Sequence, residues 1–328
     1  MKFGLLVFYE SENLGDDIQS YATEYFLPQV DYYIDREKMD SFSTESGEKV
    51  AVIMAGWYLE NHLNWPPSPY INPLLISMHF DTYMRKFAGE NIEKNHVLEG
   101  YGGNWLKRTA PVGCRDIYTK MILEKHNIPA YLSGCITLTI NKLMGVEHHN
   151  KICLVDVPDQ VHDYVETYYG DIIVMSHEMK KSDADWNNRK RNVEKTLQVY
   201  QGAKCVVTTR LHAALPCLAI GTPVLLLEDI KEYLRVGSWY EYVNHCSEKE
   251  LIEGKYDEFL RSPSDNPQKY LQLRKIIIEK CKNYVDECRR LTFDCPADYV
   301  FQEQKDRVES IKELMKLRID KYERLIGQ

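Results

Sequence analysis

No stretch of this chain is apolar for long enough to cross a bilayer, which excludes a helical membrane-spanning protein. The opening run FGLLVF is shorter than a signal-peptide core and meets Tyr9 and Glu10 directly. It predicts the first strand of a mature cytoplasmic protein. Excess positive charge is also missing: the formal net charge is -8, whereas phosphate backbones recruit basic faces. No nucleic-acid partner is expected. Repeats of solenoid length and low-complexity segments are absent as well. Nine cysteines are scattered without paired metal-type spacing, and they predict buried, reduced thiols. His148, His149 and His162 have no Cys or His partner at ligand spacing, so neither a structural zinc nor another metal is expected.

What is present is the composition of a soluble globular protein, 44% hydrophobic and 27% charged, with 328 residues that suffice for two domains. Lys2 to Tyr9 predicts a strand, followed by the polar loop ESENLGDD and a helix over Ile18 to Leu27. Val50 to Ala55 predicts a second strand, and the excursion NWPPSPYINP cannot be regular helix. Leu74 to Phe80 predicts a further strand, and PVGCRD leads into the helix DIYTKMILEKHN and the strand IPAYL.

A second series starts at KICLVDV and alternates strands with helices as far as VLLL. Such alternation predicts parallel sheets with helices on both faces. After Asn244 the pattern reads as helical to the end. The expected fold class is therefore α/β, with lobes over residues 1–147 and 148–298 and a C-terminal helix over 299–328. The apolar stripes of the last helices suit core packing or docking on a membrane surface.

Between the last two apolar strands lies VVTTRLHAALPCLAIGTPVLLL, which sets Arg210 and His212 where a strand tip enters a helix. A helix N-terminus offers free backbone N–H groups and the positive end of the dipole, so an anion is favoured there. Arg210 adds a bidentate fork and His212 a proton carrier. Taken alone, the triplet better suits an Arg paired with a carboxylate across the lobes and a His bonded to a loop carbonyl. Ser176 and His177 end another strand of the same series, at the edge where doubly wound sheets bind ligands.

This stretch, with Asn13-Leu14-Gly15-Asp16, VGCRD at Val112 to Asp116 and SGCITLT at Ser133 to Thr139, resembles the polysaccharide pyruvyl transferases over most of residues 1 to 236. The resemblance implies two facing Rossmann-like lobes in a GT-B-like arrangement. It also implies transfer of pyruvate from phosphoenolpyruvate, as donor substrate and without a cofactor, to a sugar as a cyclic ketal. The acceptor is then a polysaccharide sugar or a lipid-linked or nucleotide-linked precursor. By matching position, Arg210 holds an anion and His212 transfers a proton or stabilises phosphate.

Arg115 is a second candidate anion contact beside Asp116, which suits an N-cap equally well. Asn13, Gly15 and Asp16 are candidates for sugar hydroxyls, and His79 and His177 for proton transfer. Arg189 matches a family position, although an exposed helical Arg is the plainer reading. Arg235 stands where the family has Arg-Phe near a Gly, in a different local order here. Two other functions fit the same elements: a GT-B glycosyltransferase using a nucleotide sugar, and a non-catalytic subunit of a glycan-assembly complex. Oligomeric state is left open by the sequence.

Overall fold

The first strand-helix unit sets the pattern for both lobes. β1 (Lys2–Val7) is buried from its second residue, and α1 (Leu14–Glu24) starts where the Asn13 side chain accepts the N–H of Gly15. That start lies four residues ahead of the expected Ile18, because Asn13 caps the helix and Asp16 and Asp17 occupy its first turn, where the dipole favours acids. The computed structural model describes residues 1–58, 64–80, 85–87, 90–92, 98–179, 185–229, 233–291 and 297–326.

The N-terminal lobe continues through β2 (Tyr32–Asp35), β3 (Val50–Ile53), β4 (Gly56–Tyr58), β5 (Ile71–Leu74) and β6 (Met78–Phe80). The hairpin β7 (Arg85–Phe87) and β8 (Glu90–Ile92), α2 (Gly100–Thr109), β9 (Val112–Cys114), α3 (Ile117–Lys125) and β10 (Ala130–Leu132) complete it. Its strands form two parallel sheets, β2-β1-β3-β5 and β10-β9-β6-β4, joined where β3 runs into β4 and β5 into β6. The single strand expected over Leu74 to Phe80 is two, because Ser77 takes a left-handed φ of 54° and breaks the ladder. Trp65, in the irregular excursion, belongs to the core, where its ring meets Phe80 at 5.4 Å and Trp105 at 5.2 Å.

The C-terminal lobe contains β11 (Ile152–Val155), α4 (Asp159–Tyr169), β12 (Ile172–Met175), α5 (Trp186–Gly202), β13 (Cys205–Thr208), α6 (Leu211–Ile220), β14 (Val224–Leu227), α7 (Tyr233–Val236) and β15 (Asn244–Cys246). Its strand order is β12-β11-β13-β14-β15, parallel throughout. β15 corrects the expectation of helix beyond Asn244: three residues are too few to show a period of two, and pairing with β14 decides their state. Every residue of α6 is buried, and Gly221, at φ 78°, ends it in the left-handed conformation that favours glycine.

In both lobes the first strand lies between the second and the third, so the sheets β2-β1-β3-β5 and β12-β11-β13-β14-β15 each have a switch point where successive crossovers diverge. Ligands bind there, beyond the carboxyl ends of the strands. The segment after β1 lines one cleft with Trp57 of β4, and the C-terminal switch point places Asp156, after β11, beside Arg210, after β13.

Backbone bonds stitch these edges together. Leu14 N–H donates to His177 O at 2.8 Å and Met179 N–H to Glu12 O at 2.7 Å. Arg189, expected as an exposed helical residue, is 3% exposed and crosses between lobes to Asp17 Oδ1 at 2.8 Å and Phe8 O at 2.9 Å. One apolar core runs through α1, α5 and α6, so the two lobes are held facing each other.

After α8 (Glu248–Ile252) and α9 (Asp257–Arg261), α10 (Tyr270–Arg290) spans both lobes: Tyr270 donates to Leu218 O at 2.7 Å and Tyr284 to Asn72 O at 2.5 Å. α11 (Ala297–Ile326) lies on the N-terminal lobe through Glu303, bonded to Tyr101 and Arg108, and Arg307, paired with Asp40. Farther along it, Val308, Met315 and Ile319 are exposed. Among the described residues no helix is long and apolar enough to cross a membrane. The eight described cysteines are unpaired and buried; Cys295 lies outside the described residues.

Candidate active site

The lobes enclose a cleft of about 880 Å³, lined by Asn13, Asp16, Arg36, Trp57, His177 and Arg210 among others. Arg210 stands at the N-cap position of α6 and its Nε donates to Asp156 Oδ2 at 2.7 Å, with Glu178 Oε1 3.5 Å from Nη2. The carboxylate that pairs with it therefore comes from its own lobe. Asp156 is held below its ordinary range: burial opposes this, but bonds from Ser176, the His177 N–H and Arg210 outweigh it. The pairing fixes the guanidinium at the cleft wall.

Next to the cleft, linked to it by Asp16 and Trp57, the buried Arg115 lies among histidines, with the half-buried Arg235 nearby. Arg115, fully buried at the end of β9, places Nη1 3.5 Å from Gln19 Oε1 and 3.5 Å from Nε2 of His212. Its Nε and Nη2 make no hydrogen bond to any described residue, although Asp116 Oδ2 is 3.8 Å from Nε. The guanidinium carbons of Arg115 and Arg235 lie 5.9 and 5.4 Å from the Trp57 ring. A buried donor without a partner costs about 1–3 kcal/mol, more for a charged group, so two on one guanidinium need an explanation.

His212, 6% exposed, has Cys135 Sγ 3.7 Å from Nε2. Gly15 lies against the other side of its ring: a β-carbon there would come 2.5 Å from Nδ1. Burial, and then the charges of Arg115 and Arg235, push the imidazole well below its usual pKa. The resting ring is neutral.

His79, on β6, is fully buried with Nδ1 2.6 Å from Asp116 Oδ2, and its ring centroid is 4.6 Å from that of Trp57. His177 bonds Tyr200 Oη through Nε2 at 2.6 Å, and burial lowers its pKa to about 4. Asn13 Oδ1 is occupied by Gly15 N–H at 3.0 Å, and Asp16 Oδ2 by the Ser11 hydroxyl at 2.6 Å. The fold thus gathers Arg115, His212, Gly15 and His79 into one buried group with the half-buried Arg235 beside it, and sets Arg210, His177, Asn13 and Asp16 around the cleft.

Three members carry no separate mark in the sequence reading. Trp57 is a large aromatic just past a buried strand, which is a usable signal. Gln19 follows Asp16 by three positions on one helix face, and Cys135 sits inside SGCITLT. His148, His149 and His162 stay apart from this group, and among the described residues no three His, Cys, Asp or Glu side chains gather in a way that could hold a metal ion.

A sequence profile of the polysaccharide pyruvyl transferases matches residues 13–229, which include every residue placed in the group except Arg235. No curated protein matches the chain. Among solved structures, an uncharacterized Klebsiella pneumoniae protein is similar at TM-score 0.44 and 12% identity, over 73% of this chain and 87% of its own. A Methanocaldococcus jannaschii UDP-GlcNAc 2-epimerase, solved with UDP-GlcNAc and UDP, is similar at TM-score 0.41 and 12% identity, over 85% of this chain and 99% of its own. With about two thirds of its length covered by the profile and its sheets built as two facing Rossmann-like lobes, the chain belongs to the polysaccharide pyruvyl transferase family and is a transferase of that kind.

Proposed function

We propose that the chain transfers pyruvate from phosphoenolpyruvate to two hydroxyls of a sugar, as a cyclic ketal, and releases inorganic phosphate. The observation that carries this reading is Arg115: a fully buried guanidinium with two N–H donors that hydrogen-bond no described residue, close to His212 and Arg235. A donor with both a carboxylate and a phosphate satisfies those N–H groups and offsets the charge. Arg210, oriented by Asp156, holds the other anionic end from the opposite lobe. The phosphate stands closest to the N-terminus of α6, where the dipole stabilises its departure.

Donor binding changes His212. With the charges of Arg115 and Arg235 balanced, the imidazole gains basicity and carries a proton to C3 of the enol. The first sugar hydroxyl then bonds C2 and gives up its proton to a base. The second hydroxyl bonds C2 as the C2–O bond to phosphate breaks, and its proton restores His212. Phosphate leaves with the proton of the first hydroxyl, so one hydroxyl proton leaves on phosphate and the other replaces the one delivered to C3.

The acceptor is a polysaccharide sugar or its lipid-linked precursor, met on the cytoplasmic side, where phosphoenolpyruvate is available. Incubating the protein with phosphoenolpyruvate and candidate acceptors, with phosphate release and product mass as readouts, tests the reading. It expects phosphate and a pyruvylated sugar in equal amounts. Turnover of a nucleotide sugar without phosphoenolpyruvate contradicts it.

A further inference from the structure

Asp116 uses its two oxygens for different purposes. Oδ1 accepts the N–H of Thr119 at 2.8 Å, which caps α3, while Oδ2 meets His79 Nδ1 at 2.6 Å. A carboxylate only accepts hydrogen bonds, so the proton of that contact belongs to Nδ1. The lone pair of His79 is then on Nε2. That atom is buried and makes no hydrogen bond to any described residue, while Trp57 and Tyr118 flank the ring at 4.6 and 6.4 Å. A buried acceptor without a partner, on a ring whose other nitrogen is held by a carboxylate, is arranged to receive a proton.

We infer that His79 is the base that takes the proton of the first acceptor hydroxyl, and that Asp116 is the positioning residue that fixes its tautomer. This rests on the ketal reading above. As the hydroxyl oxygen bonds C2, its proton moves to Nε2 and the ring becomes an imidazolium facing Asp116. When the C2–O bond to phosphate breaks, Nε2 returns that proton to the leaving oxygen, and His79 is neutral again. His212 fits this step less well, because its Nε2 lies 3.5 Å from a guanidinium and no carboxylate among the described residues bonds its ring.

The charged groups acting on His79 are Asp116, Arg115 and Arg235. Burial, with the two arginines, lowers its pKa, and Asp116 opposes that, so the resting ring is neutral. Asp116 stays ionised: burial works against it, but His79, Arg115 and the Thr119 N–H hold it below its ordinary range.

The test uses the full chain and Asp116→Asn, which keeps a good N-cap and loses the charge. With ¹⁵N-labelled histidine, and the His79 signals assigned through His79→Gln, long-range correlation spectra report the tautomer. The Nδ1–H form is expected in the wild type, and its mirror form in Asp116→Asn, where the new amide donates to Nδ1. A wild-type ring in the Nε2–H form overturns the assignment.

In parallel, phosphate release from phosphoenolpyruvate is followed with methyl hexopyranosides as diol probes. Asp116→Asn lowers kcat by about 10²-fold, with KM for the donor within about threefold. The acid limb of its pH profile moves down, because the group that raised the His79 pKa is gone. His79→Gln does the same to kcat, and the double variant loses little more. Normal kcat in either folded single variant, with calorimetry showing donor bound, overturns the step and leaves the ketal reading standing. Absence of donor binding in the wild type overturns both.

Discussion

Arg115 of the N-terminal lobe and His212 of the C-terminal lobe meet at 3.5 Å, Nη1 to Nε2, both buried. Two cation-capable groups in contact across an interface are tolerated only because the imidazole gives up its proton. Arg115→Gln removes one of the charges that hold it neutral, so the His212 pKa rises toward the ordinary imidazole range. A histidine NMR titration of the variant checks this. An unchanged His212 titration contradicts the electrostatic account of the pair.

A guanidinium stays charged throughout, so Arg210 can bind donor but cannot move protons. Arg210→Lys keeps the charge but loses the fork that Asp156 orients, so KM for phosphoenolpyruvate rises about tenfold while kcat changes less. Steady-state kinetics separate the two. A variant with normal KM and reduced kcat reassigns Arg210 to the chemical step.

Gly15 has no side chain because His212 occupies the space. In Gly15→Ala the new β-carbon starts 2.5 Å from Nδ1 and 2.9 Å from Cβ of His212, so the ring must shift. Overpacking of this kind costs about 1–3 kcal/mol, partly offset by the better helix propensity of Ala. Turnover should fall at least about tenfold while thermal unfolding moves by only a few degrees. Full activity in the variant shows that the ring position is not constrained by this contact.

His177 links protonation to stability. Burial lowers its folded pKa to about 4, below the unfolded value near 6.5, so the unfolded chain binds the proton more readily between those limits. Stability is therefore full above about pH 6.5 and declines as pH falls toward 4, by about 3 kcal/mol for this group. Urea midpoints measured across that range should fall more steeply for the wild type than for His177→Gln. Parallel curves assign the acid sensitivity to His79 and His212 instead.

The alternation of strands and helices was legible because buried parallel strands read as short apolar runs between turn residues, as CVVTT and VLLL do. Local breaks were not. The interruption at Ser77 depends on one left-handed residue, and β15 depends on β14 beside it, neither of which leaves a period in the sequence. At the site, Arg210 and His212 stood out because three positions carry both. Arg115 and His79 are 36 positions apart and come together only through the pairing of β6 with β9, which is a property of the sheet. Asp116 could be read as an N-cap from its place before a helix, and it is one; its second bond needs the neighbouring strand.

The central claim is that the buried group around Arg115 holds the donor. Calorimetric titration of phosphoenolpyruvate into the wild type and Arg115→Gln, each checked for native circular dichroism, tests it most directly. The account predicts saturable binding to the wild type and at least about 30-fold weaker binding to the variant, as expected when one partner of a buried charged contact is removed. Equal affinity in the two proteins, or no binding to the wild type at all, contradicts it.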